Sequence, residues 1–160
     1  MPTLLLLRHA TAVAFAPGRS DSERPLTDHG HAQAVAVGDL LATTHVDRVL
    51  CSPAVRTRQT ADGLALACEI ELAPALHNAG ADTILALISE VDETVGTLLV
   101  VGHAPGIPAL AQELAGPDSA SSALAAIRRG YPPATLVRIE VDGTWADPRA
   151  TRLVGATLHP

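Results

Sequence analysis

Aromatic side chains are scarce: Phe15, Tyr131 and Trp145 are the only three in 160 residues. A chain so poor in rings lacks the platforms on which proteins stack unpaired bases. Basic charge is short as well, with 11 arginine and lysine residues against 17 acidic ones and a formal net charge of −6. That balance opposes general attraction to nucleic acid or to an anionic membrane, so any anion must be held by a local grouping of positive side chains. Cysteine is limited to Cys51 and Cys68, with no CxxC spacing and no His/Cys cluster around them. A zinc site and a redox pair are therefore not expected, and two reduced thiols fit a cytoplasmic protein. Long apolar runs are missing too. Leu4 to Leu7 has no Lys or Arg before it and is interrupted by Arg8 and His9, unlike a signal peptide, and no stretch approaches the roughly 18–20 apolar residues that span a bilayer.

What the chain does have is aliphatic bulk. Hydrophobic residues make up 48% of it, which suffices for one core and hence one domain over residues 1–160. Short, largely apolar runs at Thr3–Leu7, Val46–Cys51 and Leu98–Val101, each followed at once by polar or turn residues, predict strands buried on both faces. Helical patterns lie between them: Thr27–Thr43 behind the N-cap candidate Thr27, Ala54–Ala67 after Pro53, a stretch marked by Leu85, Leu87, Ile88 and Val91, and Ile107–Leu114, which stops at Gly116-Pro117. Ala134–Val141 alternates as a half-exposed strand at or near an edge, and Asp142-Gly143 suggests a tight turn into a terminal hairpin. The expected fold is α/β: a three-layer sandwich with a mostly parallel central sheet, one antiparallel edge strand, and helices on both faces.

In open α/β sheets, ligands gather at the carboxyl ends of the strands. That rule selects Arg8-His9 after the first strand, Ser52-Pro53 leading to Arg56 after the second, and Gly102-His103 after Leu98–Val101. Each residue alone has a plain structural role: Arg8 in a surface ion pair, Arg56 on an exposed helix face, His103 satisfied by loop backbone. Together they put two arginines and two histidines at one sheet edge of an acidic protein. Phosphate chemistry explains this convergence best. Guanidinium groups grip phosphoryl oxygens in a planar fork and offset developing charge. A neutral imidazole can attack phosphorus and form a phosphohistidine intermediate, and a second histidine can donate to the oxygens. No metal or other cofactor is then required.

These residues carry a resemblance. Leu7-Arg8-His9-Ala10 is similar to the Arg-His-Gly signature of the histidine phosphatase superfamily, the phosphoglycerate mutase-like enzymes. Ser52-Pro53-Ala54-Val55-Arg56-Thr57-Arg58-Gln59-Thr60-Ala61 resembles its Ser-Pro-x-x-Arg-Ala-x-Gln-Thr-Ala segment, and Val101-Gly102-His103 its late Gly-His. The resemblance implies a phosphorylated nucleophile at His9 and a phosphate pocket of Arg8, Arg56 and His103. Two positions depart from the pattern. Ala10 replaces a glycine, which suggests backbone adjustment if the turn needs positive φ, and Thr57 replaces an alanine. Arg24-Pro25-Leu26-Thr27-Asp28-His29-Gly30, with the short length, resembles the SixA-type phosphohistidine phosphatases. Arg24 is then either a further phosphate contact or a loop arginine pairing with Asp21 or Glu23.

The leaving group bears on the substrate. Alkoxides and sugar oxygens need a proton donor beside them. The family's usual middle glutamate, and the aspartate that acid phosphatase relatives carry after the second histidine, are not evident here: Ala104 follows His103. Asp82 reads equally as a first-turn helix residue, and His77 is an alternative donor. Imidazole, with a pKa of about 6.5, is already a tolerable leaving group, which weakens that requirement and favours phosphohistidine on a protein partner. A small phosphomonoester, such as a sugar phosphate or nucleotide, is the alternative substrate, and a non-catalytic phosphate-binding domain is the alternative class. Other motifs fail on geometry: His29 and His31 point to different helix faces, Gly102–Gly106 lacks the Lys-Ser/Thr of a nucleotide P-loop, and Arg128-Arg129 suits a helix end. No nucleic-acid or membrane partner is expected, and the protein is expected to be a monomer with an open site.

Overall fold

The computed structural model describes residues 1–148 and 151–159. Strand β1 (Thr3–Arg8) lies inside a six-stranded sheet with β2 (Arg48–Cys51), β3 (Ile70–Leu72), β4 (Thr97–Gly102), β5 (Leu136–Val141) and β6 (Thr151–Thr157). The spatial order is β3-β2-β4-β1-β5-β6. The pairs β2–β3, β2–β4 and β1–β4 are parallel, while β5 runs antiparallel to both β1 and β6. Helices α1 (Asp28–Leu41), α2 (Val55–Gly63), α3 (Ala81–Ser89), α4 (Gly106–Glu113) and α5 (Ser121–Arg129) complete the fold.

The all-apolar character of β1 and β4 follows from their central position. Leu4 and Leu6 enter one core with Leu98, Val100, Ile84 and Ile88 of α3, Ile107 and Leu110 of α4, and Ile127 of α5. Leu5 and Leu7 point the other way, into a core with Leu99, Val101, Val37 and Leu41 of α1, and Ala61 of α2. Period-two alternation thus divides each strand between two helical layers, giving the expected three-layer α/β sandwich.

Helix α1 starts where its cap predicts: the Thr27 hydroxyl accepts from the Gly30 amide, satisfying one of the donors that a helix start leaves free. Gly30 also sits so close to the Thr11 carbonyl that a Cβ would come within 2.0 Å of it. Helix α2 stops at Gly63 rather than running on to Ala67, because the Leu64 amide turns back to Ala61 and Asp62 and Ala65 adopts φ 52°.

The carboxy-terminal hairpin forms, although not through a tight Asp142-Gly143 turn. Gly143 has φ 152°, but Trp145 then drops fully buried into the core and its Nε1–H donates to the Val95 carbonyl at 2.8 Å. Strand β6, described from Thr151, forms the edge, and β5 is the penultimate strand. Among the described residues no helix is long and apolar enough to cross a membrane.

Candidate active site

Three strand ends meet because β4 lies between β1 and β2. Arg8 pairs in register with Gly102, and Cys51 with Val101. Beyond the strands the ladder continues: the His9 amide donates to Gly102 O at 3.0 Å and the Ser52 amide to Val101 O at 3.1 Å. On its other side β1 is held by the Ala134 amide, which lies 3.2 Å from Arg8 O and 3.0 Å from His9 O. His9 and Ser52 therefore flank His103. The His9 and His103 rings lie with centroids 5.5 Å apart at 59°, and His103 Nε2 is 2.7 Å from Ser52 Oγ.

The His9 tautomer follows from its neighbour. Nδ1 lies 2.7 Å from the Ala10 carbonyl oxygen, which can only accept, so Nδ1 bears the proton and the lone pair of the neutral ring is on Nε2. The ring stays neutral: burial lowers its pKa from 6.5 to about 4, the Ala10 carbonyl offsetting part of this and the charges of Arg56, Arg8 and Arg24 reinforcing it. His103 is lowered further, to about 3, by burial first and then by Arg56, His9 and His77, against an opposing pull from Asp21. Both rings are only 7% exposed.

Arginines surround this pair. Arg8 closes β1 and its Nη1 donates to the Tyr131 carbonyl at 2.7 Å. Arg56 emerges from the first turn of α2, is 4% exposed, and donates from Nη1 to Asp21 O at 2.7 Å and from Nη2 to Asp21 Oδ2 at 2.9 Å. The buried Nε atoms of Arg8 and Arg56 have no hydrogen-bond partner among the described residues. Arg24 makes the pairing with Asp21 that is the loop alternative for it. Its Nε donates to Asp21 Oδ1 at 3.0 Å and its Nη1 to Val13 O at 3.0 Å, yet its charge still reaches His9. Asp21 thus clasps Arg24 and Arg56 together. Burial pushes its carboxyl upward, but the hydrogen bonds and charges of the two arginines outweigh that and hold it below the ordinary carboxylate range.

The two departures from the family pattern find local accounts. Ala10 is fully buried and is not among the residues with positive φ, which are Ala65, Asn78 and Ala134 outside glycine; the turn after His9 makes no demand that alanine cannot meet, and the expected adjustment is not needed. Thr57 is fully buried with its hydroxyl 2.7 Å from Ser52 O and 2.9 Å from Ala54 O, so the extra oxygen ties the Ser52-Pro53 turn to α2. The two proton-donor candidates separate. His77 lies edge-on to His103, centroids 5.6 Å apart at 86°, whereas Asp82 is an exposed residue in the first turn of α3.

Several supporting residues carry no chemical signal of their own in the sequence. Ser52 and Thr60 are readable only as members of a motif. Thr60 Oγ accepts from the Ala10 amide at 3.0 Å and donates to Arg56 O at 2.7 Å, coupling the two arms of the site. Asp21 is legible only as a partner for Arg24, and Tyr131 acts through a backbone oxygen that any residue would supply.

A neutral imidazole with an open Nε2, set among three guanidinium groups, can attack an anionic electrophile whose oxygens those groups hold. The model of the histidine phosphatase superfamily, branch 1, matches residues 4–84, which include Arg8, His9, Arg24, Arg56 and His77. This chain belongs to that superfamily. It is accordingly an enzyme of phosphatase type. An uncharacterised protein of Mycobacterium tuberculosis is 37% identical over 154 residues, covering 93% of this chain and 97% of the relative. A solved structure from Nakamurella multipartitia, described as a candidate phosphohistidine phosphatase SixA, is 36% identical with TM-score 0.86, over 99% of this chain and 96% of that one. A second such candidate from Agrobacterium tumefaciens is 31% identical with TM-score 0.82, over 99% of both chains. The superfamily member is thus SixA-like in sequence and in fold.

Proposed function

We propose that this phosphatase removes phosphate from phosphohistidine on a protein partner, through a phosphohistidine intermediate on His9. The observation that carries the reading is the fixed tautomer of His9, proton on Nδ1 and lone pair on Nε2, beside the charges of Arg8, Arg24 and Arg56. Nε2 attacks phosphorus in line with the departing group; Arg8 and Arg56 neutralise the phosphoryl oxygens, Arg24 adds charge at the rim, and His103 donates to an oxygen from its ring. Water then attacks the phosphorus on His9 and releases phosphate.

The leaving group supports phosphohistidine over a phosphomonoester. The carboxylate that touches the cluster is Asp21, and its clasp on two arginines keeps it ionised at neutral pH, so it holds no proton to give an ester oxygen. The likeness to the SixA candidates supports the same substrate. The test is to trap the phosphoenzyme with a labelled phosphohistidine peptide and map the label. Label on His9, lost in a folded His9→Ala variant, is expected. Label elsewhere, or a clear preference for a panel of sugar phosphates and nucleotides, would contradict the proposal.

A further inference from the structure

We propose that His77 is a further catalytic residue, which protonates the distal ring nitrogen of the substrate phosphohistidine as it leaves. The inference rests on the phosphohistidine reading above and assigns a donor to it.

His77 is held in place more firmly than an ordinary loop residue. The Ala73 amide before it donates to Cys51 O at the end of β2, and Leu76 is 2% exposed. The residue after it, Asn78, takes φ 56°, a conformation that asparagine tolerates better than most. Two residues on, Ala79 O lies so close to Gly106 that a Cβ there would come within 2.0 Å. This scaffold fixes the His77 ring edge-on to His103. Its Nδ1 is buried and has no hydrogen-bond partner among the described residues, and its charge weighs on His103. His9 and His103 are buried while His77 is half-buried, so the shared ring contacts run from the nucleophile toward solvent, where a leaving side chain must depart.

Chemistry supplies the need. A phosphohistidine ring that leaves without a proton would depart as an imidazolate; with its second nitrogen protonated it departs as neutral imidazole. In its protonated form His77 donates to that nitrogen. As His9 Nε2 bonds to phosphorus, the substrate P–N bond breaks, its electron pair stays on the substrate ring, and the His77 proton passes to the distal nitrogen. When water attacks, the P–N bond to His9 breaks, its pair returns to Nε2, and a water proton restores His77. The position suits a ring better than an ester, whose oxygen is bonded to phosphorus directly and has no distal atom to receive the proton.

The test compares the wild-type chain with His77→Phe and His77→Gln on a phosphohistidine peptide and on 4-nitrophenyl phosphate, whose leaving group needs no proton. Both variants should lose about 100-fold or more in kcat on the peptide while changing by less than about threefold on the ester. The glutamine variant retains a hydrogen-bond donor but no transferable proton, so recovery in it would mark His77 as a positioning group and overturn the proposal. Equal losses on both substrates, or none on the peptide, would overturn it too. Label mapping in the wild type is read separately: phosphate on a residue other than His9 refutes the nucleophile assignment whatever the His77 variants do.

Discussion

Acidification should destabilise this protein well above the pH at which its carboxylates titrate. In the unfolded chain His9 and His103 take up protons near pH 6.5; in the folded protein burial and neighbouring positive charge delay this to about 4 and about 3. Between those limits the unfolded state binds more protons than the folded one, so stability rises with pH and is lost on acidification through this window. At pH 5 each histidine forfeits about 2 kcal/mol relative to pH 7.5, about 4 kcal/mol for the pair. That is a large part of the 5–15 kcal/mol by which domains are typically stable. Asp and Glu, which titrate near pH 4 when unfolded, add little above pH 5. Urea unfolding at pH 7.5 and pH 5, followed by the fluorescence of the single, fully buried Trp145, measures the loss. A His9→Gln, His103→Gln double variant should show about 4 kcal/mol less of it, retaining whatever His159 contributes, since burial lowers its pKa as well. A wild-type stability that is flat between the two pH values, or an undiminished loss in the double variant, would refute the reasoning.

Three substitutions probe the frame of the site. Arg56→Lys keeps the charge but breaks the fork that reaches the backbone oxygen and Oδ2 of Asp21; kcat/KM should fall about 100-fold, or about 3 kcal/mol, with urea unfolding as the check that the fold survives. Thr60→Val leaves the buried Ala10 amide without its acceptor, and the urea midpoint should report a loss of about 2 kcal/mol with the slope unchanged. Gly106→Ala drives a methyl against the Ala79 carbonyl; a stability loss of about 1–3 kcal/mol is expected, and turnover of a phosphohistidine peptide should fall further than of 4-nitrophenyl phosphate because the shifted segment carries His77.

The layered architecture was legible because β1 and β4 are buried on both faces and read as nearly unbroken apolar runs, with Val49–Cys51 giving β2 a shorter one. The elements that escaped have weaker patterns. Strand β3 has only three residues and leaves Leu72 45% exposed at the sheet edge. Helix α5 buries Ala123, Ala126 and Ile127, and two alanines in three make a faint hydrophobic stripe; only Arg128-Arg129 at its end gave it away. Strand β6 follows a long connection that buries Trp145, a residue whose sequence setting suggested a hairpin strand. At the site, strand-end logic brought Arg8, His9, Arg56 and His103 to one place because parallel register alone dictates that meeting. Ser52 and Thr60 could be read only as motif members and Asp21 only as a partner for Arg24, because their roles depend on which atoms the folded chain sets beside them.

The placement of His9 has a wider consequence. Its strand is hydrogen-bonded on one flank to β4 and on the other to β5, at the middle of the sheet rather than at a margin. Its amide, bound to Gly102 O, is therefore expected to exchange with solvent only through opening of the whole domain. Heat inactivation and global melting should therefore coincide, whereas the mostly exposed segment from Val13 to Arg24, which carries Arg19 and Arg24, can open locally at less cost and in doing so loosen the hold of Asp21 on Arg56.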